Sequence, residues 1–271
     1  MKLAWDYTEL APTYDRRPGY APRAIDALLA VAGLGPGDRV CDVGAGTGAS
    51  ALPLLDRGLR VVAVEPNEAM RRRGVESTRE RPGIAWLAAV GEATGLAAGA
   101  FDLVVFGSSL NVLACGPALA EAARLLRAGG SVACLYNHRR LDDPLQARIE
   151  SILRRHVPGY RHGARREDHR DLLASSGRFT GITGRDVEVV HEVDAEAWAD
   201  AWRSHATLVR QAGPALEEVL REIRAVTLAA GTTVAVPYTT RLWTARKRTA
   251  ASRRVRSREA RVKDAMRTTG P

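Results

Sequence analysis

Three glycines and two acids are the first residues whose types and spacing suggest chemistry. Val40-Cys41-Asp42-Val43-Gly44-Ala45-Gly46-Thr47-Gly48 joins an apolar stretch to a helical one through a glycine-rich bend, and a second apolar stretch, Arg60 to Val64, ends on Glu65. Glycine tolerates positive φ and lets the backbone approach a ligand where a Cβ would clash. An acid at the tip of the next parallel strand can grip two ribose hydroxyls, and Glu65 follows Asp42 at close to the ~20-residue spacing of comparable nucleotide folds. These features describe a nucleoside pocket. One residue separates Gly46 from Gly48, unlike the G-x-G-x-x-G of dinucleotide enzymes, and no Lys-Ser/Thr follows as a phosphate-gripping loop requires. Asp42 would repel a pyrophosphate and suits a cationic ligand or an α-amino group.

The same stretch, V-x-D-V-G-A-G-T-G, resembles the class I S-adenosylmethionine-dependent methyltransferases, and ordered motifs extend the resemblance over roughly residues 14 to 136. Tyr14-Asp15-Arg16-Arg17-Pro18-Gly19-Tyr20 resembles the Y-x-x-R-P-G-Y motif of a small-molecule branch. Ala63 to Met70 resembles the ribose strand and its helix, Ala100 to Val105 the fourth strand, and Glu121 to Gly130 the helix and turn before the fifth. The resemblance implies S-adenosyl-L-methionine as methyl donor and S-adenosyl-L-homocysteine as product. It also implies an α/β fold, a Rossmann-like doubly wound seven-stranded sheet of order 3-2-1-4-5-7-6. Strand seven would be antiparallel, and a helical lid would be inserted over the acceptor.

Carried over residue by residue, Gly44, Ala45, Gly46 and Gly48 shape the turn under the methionine moiety. Asp42 anchors that turn or faces the donor's amino group, and Glu65, followed by Pro66, takes the ribose diol. Met70 lines the adenine pocket. Glu92 or the backbone at Ala93 meets the adenine edge, although Gly95-Leu96-Ala97 stands where the family's A-E-x-L-P has Leu-Pro. Tyr14 and Arg17 are placed to reach the donor's carboxylate, since a planar guanidinium binds carboxylates in a bidentate fork. Gly107 would touch the donor at the carboxyl edge of the sheet. Ser109, Asn111 and Trp202 are candidates for acceptor contact. Asn111-Val112-Leu113 replaces the His-Trp of relatives and points to a changed acceptor.

A sulfonium donor has a good leaving group, so in-line placement supplies much of the rate. Where an oxygen or nitrogen acceptor must lose a proton, histidine suits the task, and His138 and His205 are the candidate bases. No Asn/Asp-Pro-Pro-Tyr/Phe motif follows the fourth strand. The cysteines lack metal-ligand spacing, no acids cluster near that strand, and no metal is expected.

The elements that must hold these residues follow from periodicity. Residues 1–20, with Trp5, Tyr7, Tyr14 and Tyr20, read as a flap, and 21–245 as the methyltransferase domain. Ile25, Leu28, Leu29 and Ala32 recur at helical spacing after Pro22. Strands are expected at Arg39 to Val43, Arg60 to Val64, Ile84 to Val90, Phe101 to Phe106 and Ser131 to Tyr136. The helix from about Gly48 to Leu59 contains Pro53, which either kinks it or marks a late start. Gly129-Gly130 is expected to stop the helix bearing Leu119, Ala122, Leu125 and Leu126. Strands alternating with helices imply right-handed β-α-β units. The lid, about 140–230, holds a helix from Pro144 to His156, a His/Arg-rich run from Tyr160 to Arg170, a strand from Asp186 to Val193, and helices near Ala195 to Gln211 and Pro214 to Ala230. The last strand runs from Thr232 to Thr240.

The 271 residues carry a formal charge of +9. Eleven of the 40 basic residues lie from Arg241 onward against two acids there, so the two signs balance before that point. Residues 246–271 read as a basic, disordered tail that could hold phosphate backbones, without aromatics to stack bases. Scattered cysteines, no apolar run of about 20 residues and no signal-like start point to a cytoplasmic protein without a membrane partner. The Ala- and Arg-rich composition suggests a high-GC bacterium, and a monomer or homodimer is expected. The reading is methyl transfer to the oxygen or nitrogen of a small molecule, in the manner of secondary metabolism. The alternatives are an RNA or DNA methyltransferase using the tail and a non-methylating S-adenosylmethionine-binding protein.

Overall fold

The computed structural model describes residues 5–249, so positions 250–271 of the expected tail lie outside the described residues. Seven strands form one sheet: β1 (Arg39–Val43), β2 (Arg60–Val64), β3 (Ile84–Leu87), β4 (Phe101–Gly107), β5 (Leu126–Arg139), β6 (Phe179–Asp194) and β7 (Thr233–Lys247). Their order is β3-β2-β1-β4-β5-β7-β6, with β7 antiparallel to both neighbours, as the family resemblance implied. Asp42 lies level with Ala63 of β2 and Val105 of β4.

Alternation along the strands sends successive side chains to opposite faces. Val104, Phe106, Val132 and Cys134 meet α5 (Cys115–Leu125) on one face. Leu103, Val105, Ala133 and Leu135 pack on the other with α2 (Pro22–Ala32) and α3 (Ala51–Leu55). The late start is the outcome at Pro53, which sits in the first turn of α3, where its missing N–H has no helical partner to lose. Asn67 caps α4 (Glu68–Ser77) by accepting the Met70 N–H at 3.0 Å.

Several boundaries differ from the sequence expectations. Within the stretch 5–20, for which no helix was expected, a 3-10 turn at Thr8–Leu10 leads into α1 (Ala11–Tyr14). Gly129-Gly130 does not stop α5, which ends at Leu125; the pair lies within β5, where the register against β4 shifts between Phe101 and Leu103. The helix expected to reach Gln211 breaks at a 3-10 turn, Trp202–Ser204, and His205 opens the next helix. β7 continues through Arg246 and Lys247, so the expected tail begins inside the sheet.

Beyond β5, α6 (Pro144–His156), α7 (Arg170–Ser175), α8 (Ala195–Ala201), α9 (Ala206–Ala212) and α10 (Leu216–Leu228) complete the chain. α7 packs on the main core through Leu173. The other four build a second core with the ends of β6 and β7, around Trp198, Trp202, Leu208 and Ile223. No helix among the described residues is long and apolar enough to cross a membrane.

Candidate functional site

Connections leave β1 toward β2 on one side and reach β4 on the other, so a crevice opens beyond the carboxyl ends of these strands. A cavity of about 390 Å³ fills it. The turn after β1 contributes Gly44 and Gly46; the end of β2 contributes Glu65 and Pro66, and α4 contributes Met70. Val90, Gly91, Glu92 and Leu113 line it from the loops, and Trp5, Tyr7 and Tyr14 close it. Both turn glycines are required. Gly44 has φ +69°, and a Cβ there would lie 2.5 Å from the Ser109 Cβ; Gly46 has φ +59°, and its Cβ would stand 3.3 Å from the Met70 methyl.

Glu65 ties the cavity wall together. Its Oε2 accepts the Gly46 N–H at 2.9 Å and its Oε1 the Asn67 N–H at 2.8 Å. Each carboxylate oxygen keeps a second lone pair, so both can still accept from a ligand. Burial raises the Glu65 pKa above the ordinary carboxylate value, and the two amide bonds pull it back. Asp42 does not reach the cavity. It is fully buried beneath the turn, accepts the Ser50 hydroxyl at 2.7 Å and leaves Oδ1 without a partner. Burial is the main reason its pKa is pushed up to about 7; Ser50 lowers it and Glu65 raises it further.

Glu92 lies on the wall and accepts the Ala114 N–H through Oε1 at 2.8 Å. Ala93 is exposed and outside the wall. Gly48 is a correction as well: it lines neither chamber, and a Cβ there would meet Ser77 and Trp86 at 3.6–3.7 Å. Ala45 lines a second chamber, of about 380 Å³, that shares Tyr14, Gly44, Gly46, Gly107 and Ser108 with the first. That chamber adds Arg17, Tyr20, Asn137 and Arg165. Arg17 therefore reaches the second chamber and not the first, with its guanidinium 4.9 Å from the Tyr14 ring centroid.

Of the candidate acceptor residues, Ser109 lines the first cavity, and its hydroxyl bonds the Val43 carbonyl. Asn111 lines neither chamber; its N–H donates to the Tyr136 hydroxyl at 3.2 Å. Trp202 is a correction: its ring is wholly buried in the second core, covered by Arg139 and by His205 stacked at 4.3 Å. His138 and His205 line a small notch of about 30 Å³ away from the first cavity. Burial first, then Arg165 and Arg166, push the His138 pKa down to about 3. Burial, Arg17 and Arg139 lower that of His205 as well. A general base must become a cation, and both sites disfavour the imidazolium, so the expectation of a base at these positions is not supported.

Ser108 was missed as a site residue. It lines both chambers, has φ +58°, the single non-glycine with positive φ among the described residues, and bonds the Tyr20 hydroxyl at 3.0 Å. A left-handed serine beside a cavity is stored strain of the kind found at ligand sites. Only its place one residue past the end of β4 marked it in the sequence. Asn67, the cap of α4, also holds the N-terminal segment, donating to Asp6 and Thr8 at 3.1 Å.

Residues 41–134 match the methyltransferase domain family. An uncharacterized methyltransferase of Mycobacterium bovis is 29% identical over 234 residues, covering 84% of this chain and 89% of that protein. A demethylmenaquinone methyltransferase of Renibacterium salmoninarum is 35% identical over 137 residues, 48% of this chain and 56% of that protein. A solved structure from Anaeromyxobacter dehalogenans, assigned as a type II methyltransferase, superposes with a TM-score of 0.59 at 20% identity, covering 85% of this chain and 97% of that one. From β1 into β5 the chain is thus similar to the methyltransferase domain, within a fold like that of the Anaeromyxobacter dehalogenans structure.

Proposed function

We propose that this chain transfers a methyl group from S-adenosylmethionine to a small-molecule acceptor. The observation that carries the reading is Glu65. Its carboxylate stands at the tip of β2, on the wall of the 390 Å³ cavity, 2.9 Å from the Gly46 amide, in a turn whose positions 44 and 46 have positive φ. The residues fit the donor in three places. Glu65 offers acceptor lone pairs to the ribose hydroxyls, Glu92 keeps its Oε2 for the adenine side, and the Gly44–Gly46 backbone leaves room for the methionine chain.

When bound, the sulfonium supplies a methyl carbon that passes to the nucleophile while sulfur keeps the bonding electron pair as a neutral thioether. The chain's part is to place the partners in line and to exclude water. Trp5, Tyr7 and Tyr14 cover the donor chamber, and Tyr14, Gly107 and Ser108 form the boundary with the second chamber, where we place the acceptor. The second chamber's size, close to that of the first, suits a small molecule.

Isothermal titration of the full chain with S-adenosylhomocysteine tests the reading. Saturable heat with one site per chain is expected. A flat titration, with the protein folded by circular dichroism, would overturn it.

A further inference from the structure

The notch lined by His138 and His205 is strongly basic. Four guanidinium groups line it: Arg17 from the N-terminal segment, Arg139 from the end of β5, and Arg165 and Arg166 from the 3-10 turn at 164–166. One carboxylate answers them. Glu150 stands 3.7 Å from Arg139, but it is already shared with Arg154 at 2.9 Å and His162 at 3.2 Å.

The remaining contacts are neutral. Arg17 lies over the Tyr14 ring; Arg165 and Arg166 donate to the carbonyls of Asn137 and Arg139, each at 3.3 Å. Arg139 is 7% exposed and fixed by Gln146 at 3.0 Å and by the Trp202 face. A guanidinium presents five donors in a rigid fork, and the bonds named here engage few of them with protein acceptors. His138 is also 7% exposed and has no partner for Nε2. Gathering like charges in a partly desolvated recess is costly unless an anion enters.

We propose that the notch is an oxyanion subsite and that the acceptor bears a carboxylate or a phosphate. The volume, about 30 Å³, admits the charged tip of a molecule and not its body. The body has a place: Arg17, Asn137 and Arg165 line both the notch and the 380 Å³ chamber. An acceptor anchored by its anion in the notch would lie along that chamber. Its reacting atom would then approach the boundary at Tyr14 and Ser108. The inference rests on the methyl-transfer reading, and it assigns Arg139, Arg165 and Arg166 to specificity, as positioning groups.

The donor's own carboxylate is the other source of such an anion, and the test separates the two. The full chain, saturated with S-adenosylhomocysteine, is titrated with inorganic phosphate or with malonate, against chloride at matched ionic strength. Either anion should raise Tm, by about 2–4 °C at tenfold over its Kd for a domain of this size. In the Arg165→Gln/Arg166→Gln double variant that difference should vanish while the Kd for S-adenosylhomocysteine stays within about twofold. These side chains make only long bonds to main-chain oxygens, so the fold does not depend on them.

Equal stabilisation of the variant would mean adventitious binding elsewhere and would overturn the subsite. So would no response of the wild type to either anion. A tenfold loss of S-adenosylhomocysteine affinity in the variant would give the notch to the donor and equally end the proposal. Absence of S-adenosylhomocysteine binding by the wild type is a different failure, that of the donor reading itself.

Discussion

Glu65 holds two amides, those of Gly46 and Asn67, and offers its remaining lone pairs to the cavity. Charged hydrogen bonds of this kind contribute about 1–3 kcal/mol each way a partner is lost. Glu65→Ala should therefore weaken S-adenosylhomocysteine binding by roughly 5- to 150-fold in calorimetry. Unchanged affinity would remove Glu65 from the ribose. Asp42 makes a separate prediction. Its ordinary value is near 4 in the unfolded chain, and burial pushes it up to about 7 in the fold. Between those values the folded form binds the extra proton, so this group's contribution to stability falls as pH rises from about 4 through about 7. Asp42→Asn removes the titration at nearly constant shape. Its Tm should gain on the wild type between pH 5 and pH 8, by the equivalent of about 1–3 kcal/mol, since the amide oxygen can still accept the Ser50 hydroxyl. A pH-independent difference would show that Asp42 is ionised in the folded protein throughout.

At the scale of elements, the N-terminal segment acts as a strap between two regions. Asp6 and Thr8 are tied to Asn67, Asp15 pairs with Arg73 of α4, and Arg16 pairs with Asp200 of α8. These ion pairs are exposed and contribute little alone. Aromatic packing is the firmer contact: Trp5 stacks with Tyr7 at 6.4 Å, and the Arg210 guanidinium lies 3.7 Å from the Trp5 ring centroid. Trp5→Ala should loosen the cover and raise the dissociation rate of S-adenosylhomocysteine about tenfold, for a loss near 1.4 kcal/mol. A stopped-flow rate equal to the wild type would show that Trp5 does not close the cavity.

The expectation of a flap at residues 1–20 rested on four aromatics clustered without a period, and the sequence did not reveal the short α1. It placed β1, β2 and α6 at their observed bounds, since their apolar patterns are bounded by Gly, Pro or a capping Asp. It misplaced the stop of α5, where the Gly129-Gly130 signal is absorbed by a register shift. The break at Trp202 also went unseen: Trp202 and Leu208 both face the second core, and helical spacing carries through the 3-10 turn. The basic notch was the least legible feature. Arg17, Arg139 and Arg166 come from three distant segments, and the run from Tyr160 to Arg170 reads locally as a solvated charged stretch.

Over the whole molecule, the charge has two locations with different consequences. Seven basic residues and two acids lie in 250–271, so +5 of the +9 sits there and +4 remains in residues 1–249. Within the body, the guanidinium groups of Arg17, Arg139, Arg165 and Arg166 gather at the notch, whose volume of about 30 Å³ is too small for a polymer backbone. Affinity for nucleic acid would thus have to come from the C-terminal positions, and a cut can test it without harming the sheet. The cut belongs after Thr249. Removing Arg246 and Lys247 would take away pairs that β7 makes with Ser131, Thr180 and Phe179, and Lys247 Nζ also bonds the Leu126 carbonyl. The chain ending at Thr249 should keep its S-adenosylhomocysteine Kd within about twofold, because no cavity wall is lost, and each counterion-releasing phosphate contact removed should flatten the salt dependence of single-stranded RNA binding by about 0.7 in log–log slope. RNA binding that survives the cut at physiological salt would put a polyanion surface on the body and overturn this division of charge.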